Sequence, residues 1–353
     1  MRRFINRILP AVVLLLAPEH ATGAQTPPQA PGPAIGCSAK TACEFQVFIE
    51  NDSFGAGTDR YYTNGFKIGG GVGAEPVVNF LFHEPVKTVL RKISRHLDDV
   101  DPGAIQLGLF AGQNLYTPRR ITVAAAQPLD RPWAAWLYIG GVAQSVRSDR
   151  LQTVELDLGM VGPAALGKPV QTEWHKLVGA EQPLGWGNQI RNEPGVLLAY
   201  LSKWRYGPAT GLQVVPHAGA TVGNVMTLAR AGGIVRVGQN MSGFGPDTIE
   251  PGGALLQSSR LADGAHRRPE WYVFAGFDSR VVGRNIFLDG NSFRESASVD
   301  RRVFVTDLKA GFSVRLPPLR LSVTHVQRSP EFDTPLGNSG MQKFQSINVS
   351  WEF

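Results

Sequence analysis

The sequence ends on "QSINVSWEF", and that stretch restricts the fold more than any other. Ile347, Val349, Trp351 and Phe353 alternate with Ser346, Asn348, Ser350 and Glu352. A strict period of two reads as a strand with one apolar and one polar face. Similar stretches recur: "CEFQVFIEND", "YTNGFKIGGGVG", "AIQLGLFAGQ", "PWAAWLYIGGVAQ", "TVELDLGM", "VLLAYLSKWRYG", "LQVVPHAGATVG", "LARAGGIVRVG", "EWYVFAGFDSR", "RVFVTDLKAGFSV" and "RLSVTHVQR". After its N-terminal leader the chain has no apolar run approaching the roughly 18 residues of a transmembrane helix. Alternating, aromatic-bearing strands with a terminal Phe are also the pattern of outer-membrane barrels, apolar outward and polar inward. A soluble half-buried edge strand is the other source of such a pattern. The expected fold is all-β: a transmembrane antiparallel β-barrel of about twelve strands, with a short helix in an extracellular loop.

The N-terminus indicates the compartment. "MRRFINR" is a basic n-region, "ILPAVVLLLA" a short apolar h-region, and "ATGA" a run of small residues. Residues 1–24 therefore read as a secretory signal peptide. Residues 25–43 contain "QTPPQAPGPAIG", a Pro- and Gly-rich linker. Residues 44–353 are the expected barrel domain. The two cysteines, Cys37 and Cys43, fit no zinc spacing. In an exported chain they suit a short disulfide, with two reduced thiols as the alternative.

An even strand count leaves both chain ends in the periplasm. Parity then makes "DSFGAGTDRY" extracellular and residues 74–103 periplasmic. The latter include "EPVKTVLRKISRHLDD", whose apolar positions recur at helical spacing. The 161–192 and 281–300 loops fall outside. "VQTEWHKLVG" lacks a period of two and ends on Gly179, so it reads as a short helix. Residues 239–266 fall in the periplasm and are long for such a turn.

Familiar catalytic signatures are absent: no G-x-S-x-G, H-E-x-x-H or C-x-x-C occurs. "GPAALGKP" misses a P-loop because Pro169 stands where Ser or Thr must bind magnesium. Of seven histidines, His217 and His325 lie in expected strands, and His83, His96 and His266 in expected periplasmic stretches. His175 stands on the loop helix, near Glu173, Trp174 and Glu181. "ENDSF" ends the first strand with the turn formers Asn51 and Asp52, which are poor in strands. A loop start explains them; so does a site for a metal or an oxyanion.

Taken together, "ENDSF…TDRYYTNG", "GQNLYTP", "DRPWAAWLY", "LGMVGPAALGKPVQTEWHKLVGAEQPLGWGNQIRNEP" and the terminal Phe resemble the lipid A 3′-O-deacylase family (LpxR type) of Gram-negative outer membranes. The resemblance runs from about Phe45 to Phe353. It implies a twelve-stranded, calcium-dependent barrel that removes the 3′-linked acyloxyacyl chain of lipid A in the outer leaflet. The family's Asn-Asp pair matches Asn51 and Asp52, its YT-x-G threonine Thr63, its catalytic histidine His175 and its following glutamate Glu181. "RPWAAWLY" departs from the commoner "RPYAGWLY", which exchanges residues at Trp133 and Ala135.

The chemistry implied is ester hydrolysis by water that His175 activates, with no acyl-enzyme. Asp52, Asn51 and Glu181 are the expected metal ligands, since calcium favours oxygen donors. Thr63 would position water or carbonyl, and Glu181 would orient the imidazole or complete the metal shell. Asn51 has the lipid-side parity of its strand and Asp52 the lumen-side parity. Both can serve one site only where the strand ends or bulges. Arg60, Arg119, Arg120 and Arg131, in a chain of net charge +6, suit the phosphates of lipid A or are solvated loop charge. The expected partners are lipid A or lipopolysaccharide and the outer membrane, not nucleic acid, with the protein a monomer. The alternatives are an outer-membrane phospholipase-type esterase and a non-enzymatic, porin-like barrel.

Overall fold

The structure is a computed structural model that describes residues 43–56, 59–73, 105–250, 252–253, 268–335 and 337–352. Twelve antiparallel strands close into one barrel. In chain order they are β1 (Cys43–Asn51), β2 (Tyr61–Gly73), β3 (Ile105–Thr117), β4 (Ala134–Val146), β5 (Arg150–Val161), β6 (Glu193–Trp204), β7 (Gly211–Gly223), β8 (Met226–Gln239), β9 (Glu270–Asn285), β11 (Phe304–Leu316), β12 (Leu319–Arg328) and β15 (Gln342–Glu352). Three short strands, β10 (Asp300–Arg301), β13 (Phe332–Thr334) and β14 (Gly337–Asn338), form a separate small sheet. β1 pairs with β15, with Val47 opposite Val349 and Ile49 opposite Ile347, so the C-terminal alternating strand seals the wall. No helix among the described residues is long and apolar enough to cross a membrane. A closed barrel leaves no unpaired backbone edge, so its strands can do the crossing.

The barrel is polar inside and apolar outside. Leu156, Leu158, Val196, Leu198, Val273, Phe277, Leu308 and Phe312 are exposed on the outer face. Lys67, Glu155, Asp278, Arg280, Asp307 and Arg328 are buried in the lumen. The lumen charges pair: Lys67 Nζ lies 2.9 Å from Glu155 Oε1, and Arg328 Nε 2.8 Å from Asp307 Oδ1. Asp307 also meets Arg280. Deleting one partner of a buried pair typically costs about 3–5 kcal/mol.

The long β8–β9 connection does not stay in the periplasm. From Met241 to Glu250 it is buried apart from the half-buried Asp247, and it runs up inside the barrel. Near the periplasmic end of β8, Arg236 donates to the carbonyls of Ser242, Gly243 and Gly245 at 2.8–3.3 Å. Further along the segment, Lys203 Nζ lies 2.5 Å from Asp247, and Lys309 donates to Thr248 Oγ1 at 3.0 Å. At the extracellular end the Ile249 amide donates to Glu50 Oε1 at 2.9 Å, and Tyr116 Oη donates to Glu250 Oε1 at 2.9 Å. A strand count alone assigns this segment to the periplasm; the lumen cations draw its carbonyls and carboxylates inward. The expected helix of residues 84–99 lies outside the described residues, as do Cys37, His83, His96 and His266. Cys43 is disulfide-bonded.

The filled lumen has a direct electrical consequence. In a planar bilayer the intact protein passes no steady ion current, and deleting residues 241–250 opens one. A steady conductance from the intact chain contradicts the plug.

Candidate functional site

The extracellular rim over β1–β4 is built on the outer side of the wall. On β3 the outward-facing positions include Leu109, Ala111, Gln113, Leu115 and Thr117; on β4 they include Ala135, Leu137 and Ile139. Leu115 and Ala135 are nonetheless only 1% and 0% exposed. Ile121, Trp133, Ala165 and Trp186 cover them. The β5–β6 loop supplies this cover. It leaves Val161, turns through Pro163–Ala165, and forms helix α2 (Gly167–Val178), the short helix expected from "VQTEWHKLVG". A shorter helical turn, α1 (Ser53–Ala56), follows β1. Gln113 Nε2 donates to Ala165 O at 2.6 Å, pinning the loop to the outer face of β3. Gly167 is required by close approach: a Cβ there would run into Trp186 and Ala135. Helix α2 ends at Gly179, whose φ of 71° suits glycine.

His175 sits on the buried face of α2. Its Nε2 lies 2.9 Å from Asp59 Oδ2, and its Nδ1 donates to the backbone carbonyl of Glu181. Gln171, one helical turn earlier, donates from Nε2 to Asp59 Oδ1 at 3.0 Å. Trp186 Nε1 donates to Gln171 Oε1 at 2.8 Å. A chain of side chains thus fixes the carboxylate that faces His175. Burial pushes the imidazole pKa down, but the hydrogen bonds to Asp59 and to the Glu181 carbonyl, and the Asp59 charge, outweigh it. The net result is a pKa raised above the ordinary 6.5.

Across the β1–β2 turn, Asp52 is fully buried. The Arg60 amide donates to Asp52 Oδ2 at 2.7 Å, and Asp59, the residue before Arg60, meets His175. The Asp52 amide donates to Thr63 O at 3.4 Å. Thr63 is the extra residue of a β-bulge, since Tyr62 pairs with Tyr116 and Asn64 with Leu115. Its hydroxyl lies 2.7 Å from that of Thr117, on the outward parity of β3. Asn51 closes β1 on the outward parity, and its Oδ1 accepts from the amide and hydroxyl of Ser53. At "END" the strand ends at Asn51 and the neighbouring strand bulges at Thr63, so the strict alternation of faces stops there; Asn51 bonds Ser53 and Asp52 bonds the Arg60 amide.

Hydrogen bonds thus link Asp52, Thr63 and His175 into one rim cluster through the 59–60 segment, with Asn51 adjacent. Glu181 joins through its backbone carbonyl, while its side chain is exposed. The sequence did not single out Asp59, Gln171 or Thr117. Gln171 was detectable from its i, i+4 spacing to His175. Arg60 is half-buried, Arg119 and Arg120 are exposed, but Arg131 is fully buried and its Nη1 lies 3.2 Å from Glu331, so it is no surface phosphate ligand. His217 faces the lumen, 3.2 Å from Asp278; His325 faces outward and meets Gln345 at 2.9 Å.

Among the described residues no group of three or more His, Cys, Asp or Glu converges as a metal site. The donor set still has the chemistry of a calcium ligand set in part. The Asp52 carboxylate and the Asn51 amide oxygen are hard oxygen donors side by side in the chain. The exposed Glu181 carboxylate is not among them.

A family model described as outer membrane protein LpxR matches residues 8–353. The solved structure of LpxR from Salmonella typhimurium is similar, with 22% identity and a TM-score of 0.68 over 88% of this chain and 100% of that one. The β domain of the Bordetella autotransporter BrkA aligns with 9% identity and a TM-score of 0.38 over 89% of this chain and 98% of that one. The NanC porin aligns with 5% identity and a TM-score of 0.35 over 88% and 100%. Among curated proteins, none matches the sequence.

The Asp59 clasp is testable by NMR titration of the His175 ring. The wild-type midpoint lies above 6.5, because the carboxylate favours the imidazolium. Asp59→Asn keeps the burial and removes the charge, so the midpoint falls. A midpoint unmoved by Asp59→Asn contradicts the clasp.

Proposed function

The chain belongs to the LpxR family of outer membrane proteins, and from that premise we propose that it is a lipid A 3′-O-deacylase that hydrolyses the acyloxyacyl ester with His175 as base. The observation that carries this reading is the position of His175. It stands on a helix folded over the outer flank of the barrel and is linked to the rim where Asn51, Asp52 and Thr63 gather. Lipid A in the outer leaflet lies against that flank, so its ester reaches the site from the side without entering the lumen.

The roles follow from the partners. Nδ1 is held as a donor by the Glu181 carbonyl, which leaves Nε2 to exchange the proton. In the resting clasp Nε2 faces Asp59, and the raised pKa favours the charged form. The base forms when Nε2 releases that proton to bulk water and a water molecule comes to lie between Nε2 and the Asp59 carboxylate. As the water oxygen attacks the ester carbonyl, Nε2 takes a water proton. The carbon–oxygen bond to the sugar then breaks, and the imidazolium returns the proton to the leaving sugar oxygen. The products are the acyloxyacyl acid and a free 3′-hydroxyl. Asp59 stabilises the imidazolium between these transfers. Thr63, bonded to Thr117, has a hydroxyl fixed at the rim that can orient the water or the carbonyl.

Asp52 and Asn51 would hold calcium, as proposed ligands of hard oxygen type. When bound, calcium would supply positive charge to the ester carbonyl oxygen.

A phospholipase-type serine mechanism finds less support, because a carboxylate and a carbonyl, not a serine, occupy the His175 nitrogens. A porin-like role conflicts with the plugged lumen.

The test is mass spectrometry of lipid A from an outer membrane expressing the protein. With calcium, wild type removes the 3′ chain, and His175→Ala slows this by about 10²–10⁴-fold. A chelator reduces the wild-type activity. An unchanged lipid A mass with folded wild type and calcium contradicts the deacylase reading. Full activity in His175→Ala contradicts the mechanism alone.

A further inference from the structure

Helix α2 carries a second face that the chemistry does not use. Leu166, at the N-cap of the helix, is followed by Val170, Trp174 and Leu177, whose spacings of four and three put these three in one stripe along the helix. The four are 51%, 43%, 37% and 70% exposed. Leu184, on the segment that returns from the helix, adds a further side chain at 57%. The buried residues Gln171 and His175 lie about a third of a turn around from this stripe, at 100° per residue. Apolar side chains lined up on an outer loop carry a cost in water that a single exposed leucine does not.

The position of the helix says what covers the stripe. The loop that carries it is pinned to the outward face of β3 and β4 through Gln113, Leu115 and Ala135. Directly below, on the same outward parity, Leu137 and Ile139 face the acyl chains of the membrane. The stripe therefore continues the lipid-facing wall upward. The charge around it fits the same surface. Lys168 and Lys176 are exposed on the helix, Lys176 with the exposed Glu173 carboxylate 2.7 Å away. Arg119 and Arg120 are exposed on the β3–β4 loop, which the helix-bearing loop joins through the Leu184 amide and the Ile121 carbonyl at 2.8 Å. Apolar residues bordered by Lys and Arg are the pattern of an interfacial helix on an anionic lipid surface.

We propose that Leu166 and the Val170–Trp174–Leu177 stripe dip into the outer leaflet and anchor α2 among the acyl chains of anionic lipid. The stripe is a lipid-docking surface that holds the catalytic face of the helix at the depth of the ester. The anchoring itself does not rest on the deacylase reading; only its effect on rate does.

The test labels the full chain at an introduced Leu177→Cys with bimane. The protein is reconstituted in phosphatidylethanolamine and phosphatidylglycerol vesicles, with and without bromine on the acyl chains. Lys176→Cys, off the stripe, is the reference. At position 177, brominated chains quench the label and aqueous iodide quenches it weakly; at 176 the order is reversed. Iodide quenching at 177 as strong as at 176 puts the stripe in water and overturns the proposal. Protection from both quenchers means that protein covers the stripe, and overturns it as well. In parallel, Leu177→Asp lowers the deacylation rate on lipid A in vesicles roughly tenfold, of the order of one lost leucine burial, and leaves the rate in detergent micelles unchanged. Equal rates in vesicles for Leu177→Asp and wild type contradict the role of the anchor in catalysis. Activity in neither protein contradicts the deacylase reading and leaves the quenching result to decide the anchor.

Discussion

Everything in this protein depends on the closure of β1 against β15. In hydrocarbon an unpaired backbone amide or carbonyl costs several kcal/mol, so a sheet can cross only as a closed barrel. Once closed, the period of two separates inside from outside at every position. Phe45, Val47, Ile49 and Asn51 share the outer parity of β1; Gln46 and Glu50 share the inner one. The inner face gathers charges that must pair, and it does so with Arg328, Asp307, Arg280 and Glu250. The outer face is apolar across the bilayer and turns polar at the rim, where Asn51, Thr63 and Thr117 stand.

That separation also divides the roles of the two long connections. The β8–β9 segment enters the lumen and satisfies Arg236, Lys203 and Lys309, so the barrel interior serves as a core. The β5–β6 loop goes the opposite way and lies on the outer flank, carrying His175. A lipid substrate never has to leave the membrane plane to reach such a site. The plug reaches the end of β1 from inside: the Ile249 amide bonds Glu50, next to Asn51 and Asp52. The plug thus supports from within the strand end that the rim cluster uses from without.

Much of this was legible in the sequence. Alternation in "QSINVSWEF", "RVFVTDLKAGFSV" and "EWYVFAGFDSR" specified strands and faces, because side-chain direction in a strand is set by covalent geometry alone. The loop helix was legible from "VQTEWHKLVG" and its terminal Gly179. The course of residues 241–250 was not, since whether a long turn stays outside or enters depends on cations contributed by several distant strands. Asp59 was hidden for the same reason: its partner is more than a hundred residues away, and nothing local marks it. Glu181 was legible as a position but not as a carbonyl, because a backbone contact leaves no trace in side-chain identity. From sequence alone Arg131 reads as an outer-loop charge; the Glu331 carboxylate, 200 residues on, draws it inward.

The central claim is that the ester reaches the rim cluster from the lipid side of the wall. Photocrosslinking in outer membranes tests it most directly, with a benzoylphenylalanine placed at outward-facing Asn64 or at lumen-facing Lys67. The account predicts lipid A adducts from position 64 and none from position 67. Adducts from position 67 without adducts from position 64 would contradict it.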